Sequence, residues 1–164
     1  MTTIYRTLRA DEISLEGLDA EEREFIAQLQ ARYRSHPDWN DFDNFRMAEM
    51  ARFYLPRGLT RQQVLQTAGY RIAADLSSRL AIAGGYARMP DYRDELEDLV
   101  RSRFKTRRAF CQATGLSEDM LSHVLAKRKQ LGIDTLANPL AKIGYELKIV
   151  PMQRPQEPTP TATH

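Results

Sequence analysis

The string T-R-R-A-F-C-Q-A-T-G-L-S-E-D-M-L-S-H-V-L, running from Thr106 to Leu125, decides how this chain folds. Thr106 is placed to cap a short helix whose inward positions are Phe110, Cys111 and Thr114. Gly115 follows where the chain must turn sharply, and a left-handed backbone there costs glycine little. Leu116 plugs the turn from inside. Ser117 caps the next helix, whose inward positions are Met120, Leu121, Val124 and Leu125. Two short helices joined by so short a turn cannot lie antiparallel, so they must cross steeply. Close approach requires a small residue four before the glycine and an apolar one six after it. Cys111 and Leu121 stand there. The lone cysteine is thereby explained as a small buried hydrophobe without chemistry of its own.

This spacing is that of a helix-turn-helix. From Thr106 to Ile143 the chain resembles, in register and without gaps, the Cro and phage-repressor-like (XRE-like) helix-turn-helix family, and the likeness extends over residues about 92–150. The basic loop Lys127-Arg128-Lys129 stands where that family has a turn against phosphates. Ile133-Asp134-Thr135-Leu136, with Leu140 and Ile143-Gly144, resembles its following helix and closing glycine. The resemblance implies a recognition helix, Glu118 to Ala126, in the major groove of double-stranded DNA. Ser117, Glu118, Asp119, Ser122 and His123 then face base edges, and Thr106, Arg107, Arg108, Lys127, Arg128 and Lys129 face phosphates. It also implies a homodimer on an inverted repeat. Antitoxin-type members are the nearest in kind, since several end in a comparable segment.

Two positions depart from that pattern. Glu118 and Asp119 put negative charge at the tip that meets DNA, where acids either accept from cytosine amino groups or simply complement the helix dipole. Pro139 falls inside the last helix and calls for a kink or a restart capped by Asn138.

Charge distribution agrees with a polyanion-facing module. The net charge is +2, yet residues 1–100 hold 13 Lys and Arg against 17 Asp and Glu, whereas residues 101–150 hold 10 against 4. All five lysines lie in that second segment.

Outward from the string, helices are expected almost throughout, giving an all-α fold class. Asp19 with Glu22 opens a helix through Phe25, Ile26, Leu29 and Tyr33 that ends at His36-Pro37. A second stripe runs through Phe42, Phe45, Met47, Ala48, Met50, Ala51 and Tyr54 to Pro56 and Gly58. Thr60 with Gln63 starts a long third helix through Val64, Ala68, Ile72, Leu76, Leu80 and Ala83, broken or bent at Gly69 and closed by Gly84-Gly85. Asp91 caps a fourth through Leu96, Leu99, Val100 and Phe104. Residues 1–90 thus read as a helical domain of unassigned role, residues 91–150 as the lambda-repressor-like helix-turn-helix domain, and residues 151–164 as a disordered tail. Tyr145 to Val150 alternates apolar and charged residues as a short extended segment, either a lone arm or a strand paired with its counterpart in a second chain. Met47, Met50, Phe53 and Tyr54 read chiefly as core, with a partner-covering face as the lesser reading.

Catalytic chemistry finds no footing. His36, His123 and His164 are scattered, no Cys/His/carboxylate set has metal-ligand spacing, and Gly84-Gly85 terminates a helix instead of cradling phosphate. Asp94-Glu95 and Glu97-Asp98 read as a solvated helix face. No cofactor and no metal are expected. With one cysteine, no leader-like start and no apolar run near the roughly 20 residues of a bilayer span, the expected setting is the cytoplasm. The functional expectation is a sequence-specific transcriptional regulator, most simply a repressor, and no enzyme. The alternatives are an antitoxin whose residues 1–90 bind a protein while the helix-turn-helix autoregulates its operon, or an interaction module that has lost DNA binding.

Overall fold

The computed structural model describes residues 3–151. The chain is mostly helical, with 63% of the described residues in helix and a two-stranded sheet among them, and it divides into two compact units, one reaching to Arg88 and the other running from Met89 to Val150. The tail expected to be disordered lies, from residue 152 on, outside the described residues.

The first unit opens with a hairpin, β1 (Ile4–Arg6) and β2 (Glu12–Ser14), paired antiparallel with Tyr5 opposite Ile13. No strand is expected here from the sequence, because three residues are too few to establish a period of two. Long-range contacts make the hairpin instead. Tyr5 Oη donates to Asp75 Oδ2 at 2.6 Å and the Leu8 amide donates to Asp75 Oδ1 at 2.7 Å. Arg79 Nε closes an ion pair with the same carboxylate at 2.7 Å, and Arg79 Nη2 donates to the Arg6 carbonyl. Asp75 and Arg79 sit one turn apart on their helix with side chains only 8% exposed, so each buried charge is neutralised by the other.

Four helices pack beneath this hairpin: α1 (Ala20–Arg34), α2 (Trp39–Tyr54), α3 (Arg61–Gln66) and α4 (Ala68–Ala83). Asp19 caps α1 by accepting from the Glu22 amide, and Thr60 with Gln63 forms a full capping box on α3. A single 3-10 turn, Leu55–Arg57, ends on Gly58 in the left-handed region. Phe25, Ile26, Leu29, Phe42, Met50, Tyr54, Ile72, Ala73 and Leu76 form the core with Ile13. Met50 and Tyr54 are therefore internal, and Phe53 stacks on Phe25 at 4.4 Å beneath the Arg57 guanidinium. Of the four residues considered for a partner-covering face, Met47 is the exposed one, at 52%.

The expected long third helix is two helices, and Gly69 is not what divides them. The break falls at Thr67, whose extended backbone ends α3 and whose hydroxyl caps α4 by accepting from the Tyr70 amide. Gly69 lies inside α4 for a packing reason. A Cβ there would stand 2.3 Å from Tyr54 Oη.

The second unit has α5 (Tyr92–Arg103), α6 (Arg107–Thr114), α7 (Glu118–Leu125) and α8 (Ile133–Lys142) around Leu96, Val100, Phe110, Leu121, Val124, Leu125, Leu136 and Leu140. A capping box of Asp91 and Asp94 starts α5. Pro139 lies within α8, which runs on through it without a restart at Asn138. Beyond Gly144, residues 145–150 are in neither helix nor strand. Among the described residues this segment joins no sheet.

Candidate nucleic-acid interface

Local chemistry positions α6 and α7. Thr106 Oγ1 accepts from the Ala109 amide at 3.1 Å, and Ser117 Oγ accepts from the Met120 amide at the same distance. Between the helices Gly115 takes φ 81°, and its amide donates to the Cys111 carbonyl. A side chain at that φ is strained. Phe110, Cys111 and Thr114 face inward from α6, and Leu121, Val124 and Leu125 from α7. Thr114 is buried without cost because its hydroxyl donates to the Phe110 carbonyl at 2.8 Å. Phe104 meets the Phe110 ring edge-on at 5.3 Å, seating the end of α5 against α6. Burial, and then the nearby Glu118 carboxylate, push the Cys111 thiol upward. It stays a neutral, poorly nucleophilic group.

The packing turns one polar face of α7 outward. Ser117, Glu118, Asp119 and Ser122 are exposed, and His123 is half-buried. Ser117 caps this helix, which is about 12 Å long, Glu118 and Asp119 open its first turn, and Ser122 and His123 lie one turn further on. Thr106, Arg107 and Arg108 are exposed at the start of α6, although Arg107 Nη2 lies 3.9 Å from Glu97 Oε1. Arg128 and Lys129 are exposed beyond α7, where both their amides donate to the His123 carbonyl.

Lys127 departs from the pattern. Its φ is 64°, and its ammonium turns back to Asp94 Oδ1 at 2.7 Å and Asp91 Oδ1 at 3.4 Å, at the start of α5. Lys127 is thus engaged by two carboxylates of its own unit, and its side chain is only 27% exposed. It serves to hold the loop. The Leu131 amide donates to Tyr92 Oη at 2.8 Å from the same helix, so the loop carrying Arg128 and Lys129 is fixed from two sides.

Asp91 itself is held well below the usual carboxylate range. Side-chain hydrogen bonds from Arg93 are the leading cause, with the Arg93 amide and the Lys127 charge adding to them against a burial cost.

Arg101 and Lys105 lie outside the set of phosphate-facing residues expected from the sequence. With Arg107 they wall a cleft floored by Val100 and Phe104, where α5 ends and α6 begins. The signal for them was available as the alternation of cations at Arg101, Arg103, Lys105 and Arg107. No set of His, Cys, Asp and Glu able to hold a metal occurs among the described residues. No helix among them is long and apolar enough to cross a membrane. No protein-family model, curated protein or solved structure matches the chain.

Proposed function

We propose that this protein is a sequence-specific DNA-binding regulator whose second unit is a lambda-repressor-like helix-turn-helix domain that lays α7 in the major groove. One observation carries the reading. Ser117, Glu118, Asp119 and Ser122 of α7 are exposed with His123 half-buried beside them, and in the chain they stand between two pairs of exposed cations, Arg107 with Arg108 and Arg128 with Lys129. A major groove about 12 Å wide admits one helix, and backbone phosphates on either side call for cations at both its ends. Arg101 and Lys105 extend the first set.

In this account binding is division of labour without catalysis. Arg107, Arg108, Arg128 and Lys129 fix register on the phosphates, while Thr106 presents the start of α6 to them. Lys127 keeps the loop in place and contributes no phosphate contact. Serine and histidine side chains of α7 read base edges. Glu118 and Asp119 accept from cytosine amino groups and repel phosphates, which trades affinity for selectivity. One recognition helix per chain reads one half-site, so two chains span an inverted repeat with half-site centres about 34 Å apart.

The test is selection from a randomised duplex library, followed by fluorescence anisotropy at low and physiological salt. Enrichment of an inverted repeat with cytosines within each half-site is the expected result. A folded protein that binds all duplexes alike, or none, contradicts sequence-specific regulation.

A further inference from the structure

Where α5 ends and α6 begins, the second unit leaves a cleft of about 200 Å³. Its floor is apolar and already in place. Val100 and Leu125 belong to the buried core of the unit, and Phe104 is held edge-on against Phe110 at 5.3 Å. Its rim is cationic, made by Arg101, Lys105 and Arg107. Glu97 is the one carboxylate among the lining residues. It accepts from Arg101 Nη2 at 3.1 Å, and the same oxygen stands 3.9 Å from Arg107 Nη2. The second distance is too long for a hydrogen bond, and Lys105 forms no ion pair among the described residues. Three cations therefore face a single carboxylate across an apolar floor.

We infer that this cleft binds a small monocarboxylate with an apolar body, its carboxylate on Arg107 and Lys105 and its body on Val100, Phe104 and Leu125. Backbone phosphates of a nucleic acid need the rim and have no use for the floor. An uncharged apolar molecule leaves the rim unmatched. A few convergent polar groups over a preformed apolar surface are the make-up of a small-molecule site. Size narrows the class. The cleft holds the liquid volume of roughly seven water molecules, room for one ring or a short branched chain with its carboxylate and not for a nucleotide. Glu97 sets the charge, because a second carboxylate on the ligand would meet it and be repelled. Arg107 is also a phosphate contact in the proposed DNA-binding mode, and Lys105 extends that set. A bound acid and the DNA backbone therefore compete for the same cations, a consequence that rests on the DNA-binding reading, whereas the site itself does not.

Phenylacetate is the probe, added at neutral pH and constant ionic strength to the isotope-labelled full-length chain without DNA. Acetate, inorganic phosphate and phenylacetamide are run beside it. Amide shifts are expected at residues 100–107 and at Leu125. Phenylacetate should bind about tenfold tighter than acetate or phosphate, which lack the ring, and about threefold tighter than the amide, which lacks the charge. Lys105→Gln changes an exposed position, so folding is not at risk. It is expected to weaken phenylacetate about threefold and to leave phenylacetamide unchanged. No shifts at the cleft, or equal affinity for phenylacetate and either acetate or the amide, overturns the inference. Competition is read by anisotropy of a labelled duplex of arbitrary sequence. Saturating phenylacetate is expected to weaken duplex binding roughly tenfold relative to chloride at the same ionic strength, and unchanged duplex affinity overturns the competition. A duplex that does not bind at all sinks the DNA-binding reading and the competition with it, while the cleft is judged by the shifts alone.

Discussion

Replacing Lys127 separates loop-holding from phosphate contact. Its ammonium lies 2.7 Å from Asp94 and 3.4 Å from Asp91, with about 27–33% of each side chain exposed. At about 3 Å and an effective dielectric constant near 40, the attraction to one carboxylate is roughly 3 kcal/mol. Ordering of the lysine stem, solvent screening and desolvation reduce the net to about 1 kcal/mol. The backbone works in the other direction, because φ 64° costs a residue with a Cβ about 1 kcal/mol relative to glycine. Lys127→Ala therefore destabilises the second unit by about 1 kcal/mol, and Lys127→Gly, which loses the ion pair but relieves the backbone, returns close to the parent. Residue-resolved hydrogen exchange at the Leu121 and Val124 amides, buried in that unit's core, measures both. Against a duplex of arbitrary sequence, the slope of log affinity with log salt should fall by about 0.9 for each phosphate contact removed. Arg128→Ala should show that decrease and Lys127→Ala should not. An equal loss of slope in Lys127→Ala, with core exchange unchanged, would refute the reasoning.

Two further outcomes follow from the geometry. Gly69→Ala forces a methyl group to 2.3 Å from Tyr54 Oη, whose hydroxyl is held by Glu22 at 2.7 Å, so a loss of about 1–3 kcal/mol is expected in urea denaturation. Adding Tyr54→Phe should recover part of it, and strict additivity of the two changes would argue against the contact. Asp91 has a folded pKa below its unfolded value, so its contribution to stability is present above about pH 4 and lost as pH falls toward the folded pKa. Core amides of the second unit should lose protection below about pH 4 in the parent, and Asp91→Asn should flatten that dependence; a parallel loss in both would assign the acid sensitivity elsewhere.

What could be read in the chain depended on the range of the interactions involved. The caps at Asp19, Thr60, Asp91, Thr106 and Ser117 and the turn at Gly115 are decided within a few residues, and each forms where its side chain is placed to accept. Features set by distant partners were hidden. The hairpin depends on Asp75 and Arg79, some 70 residues on, although a charged pair one turn apart on an otherwise apolar stripe was a signal for some buried partner. Periodicity carried the third helix across Thr67, since a cap inside a continuing apolar stripe leaves the stripe unbroken. Lys127 looked like its neighbours because its carboxylate partners lie 33 and 36 residues earlier. The terminal alternation from Tyr145 to Val150 was legible, and among the described residues it joins no sheet. Within the candidate interface, the exposed positions of α7 followed from helical periodicity, and the engagement of Lys127 by Asp91 and Asp94 required the fold.

The most direct measurement of the central claim is amide chemical-shift mapping of the isotope-labelled full-length protein as a duplex of arbitrary sequence is added at low salt. No operator needs to be known, because phosphate contacts suffice for binding under those conditions. The account predicts shifts concentrated at Thr106 to Ala109, Ser117 to His123 and Arg128 to Lys129, with residues of the first unit unmoved. Shifts centred in the first unit, or none at all, would contradict it.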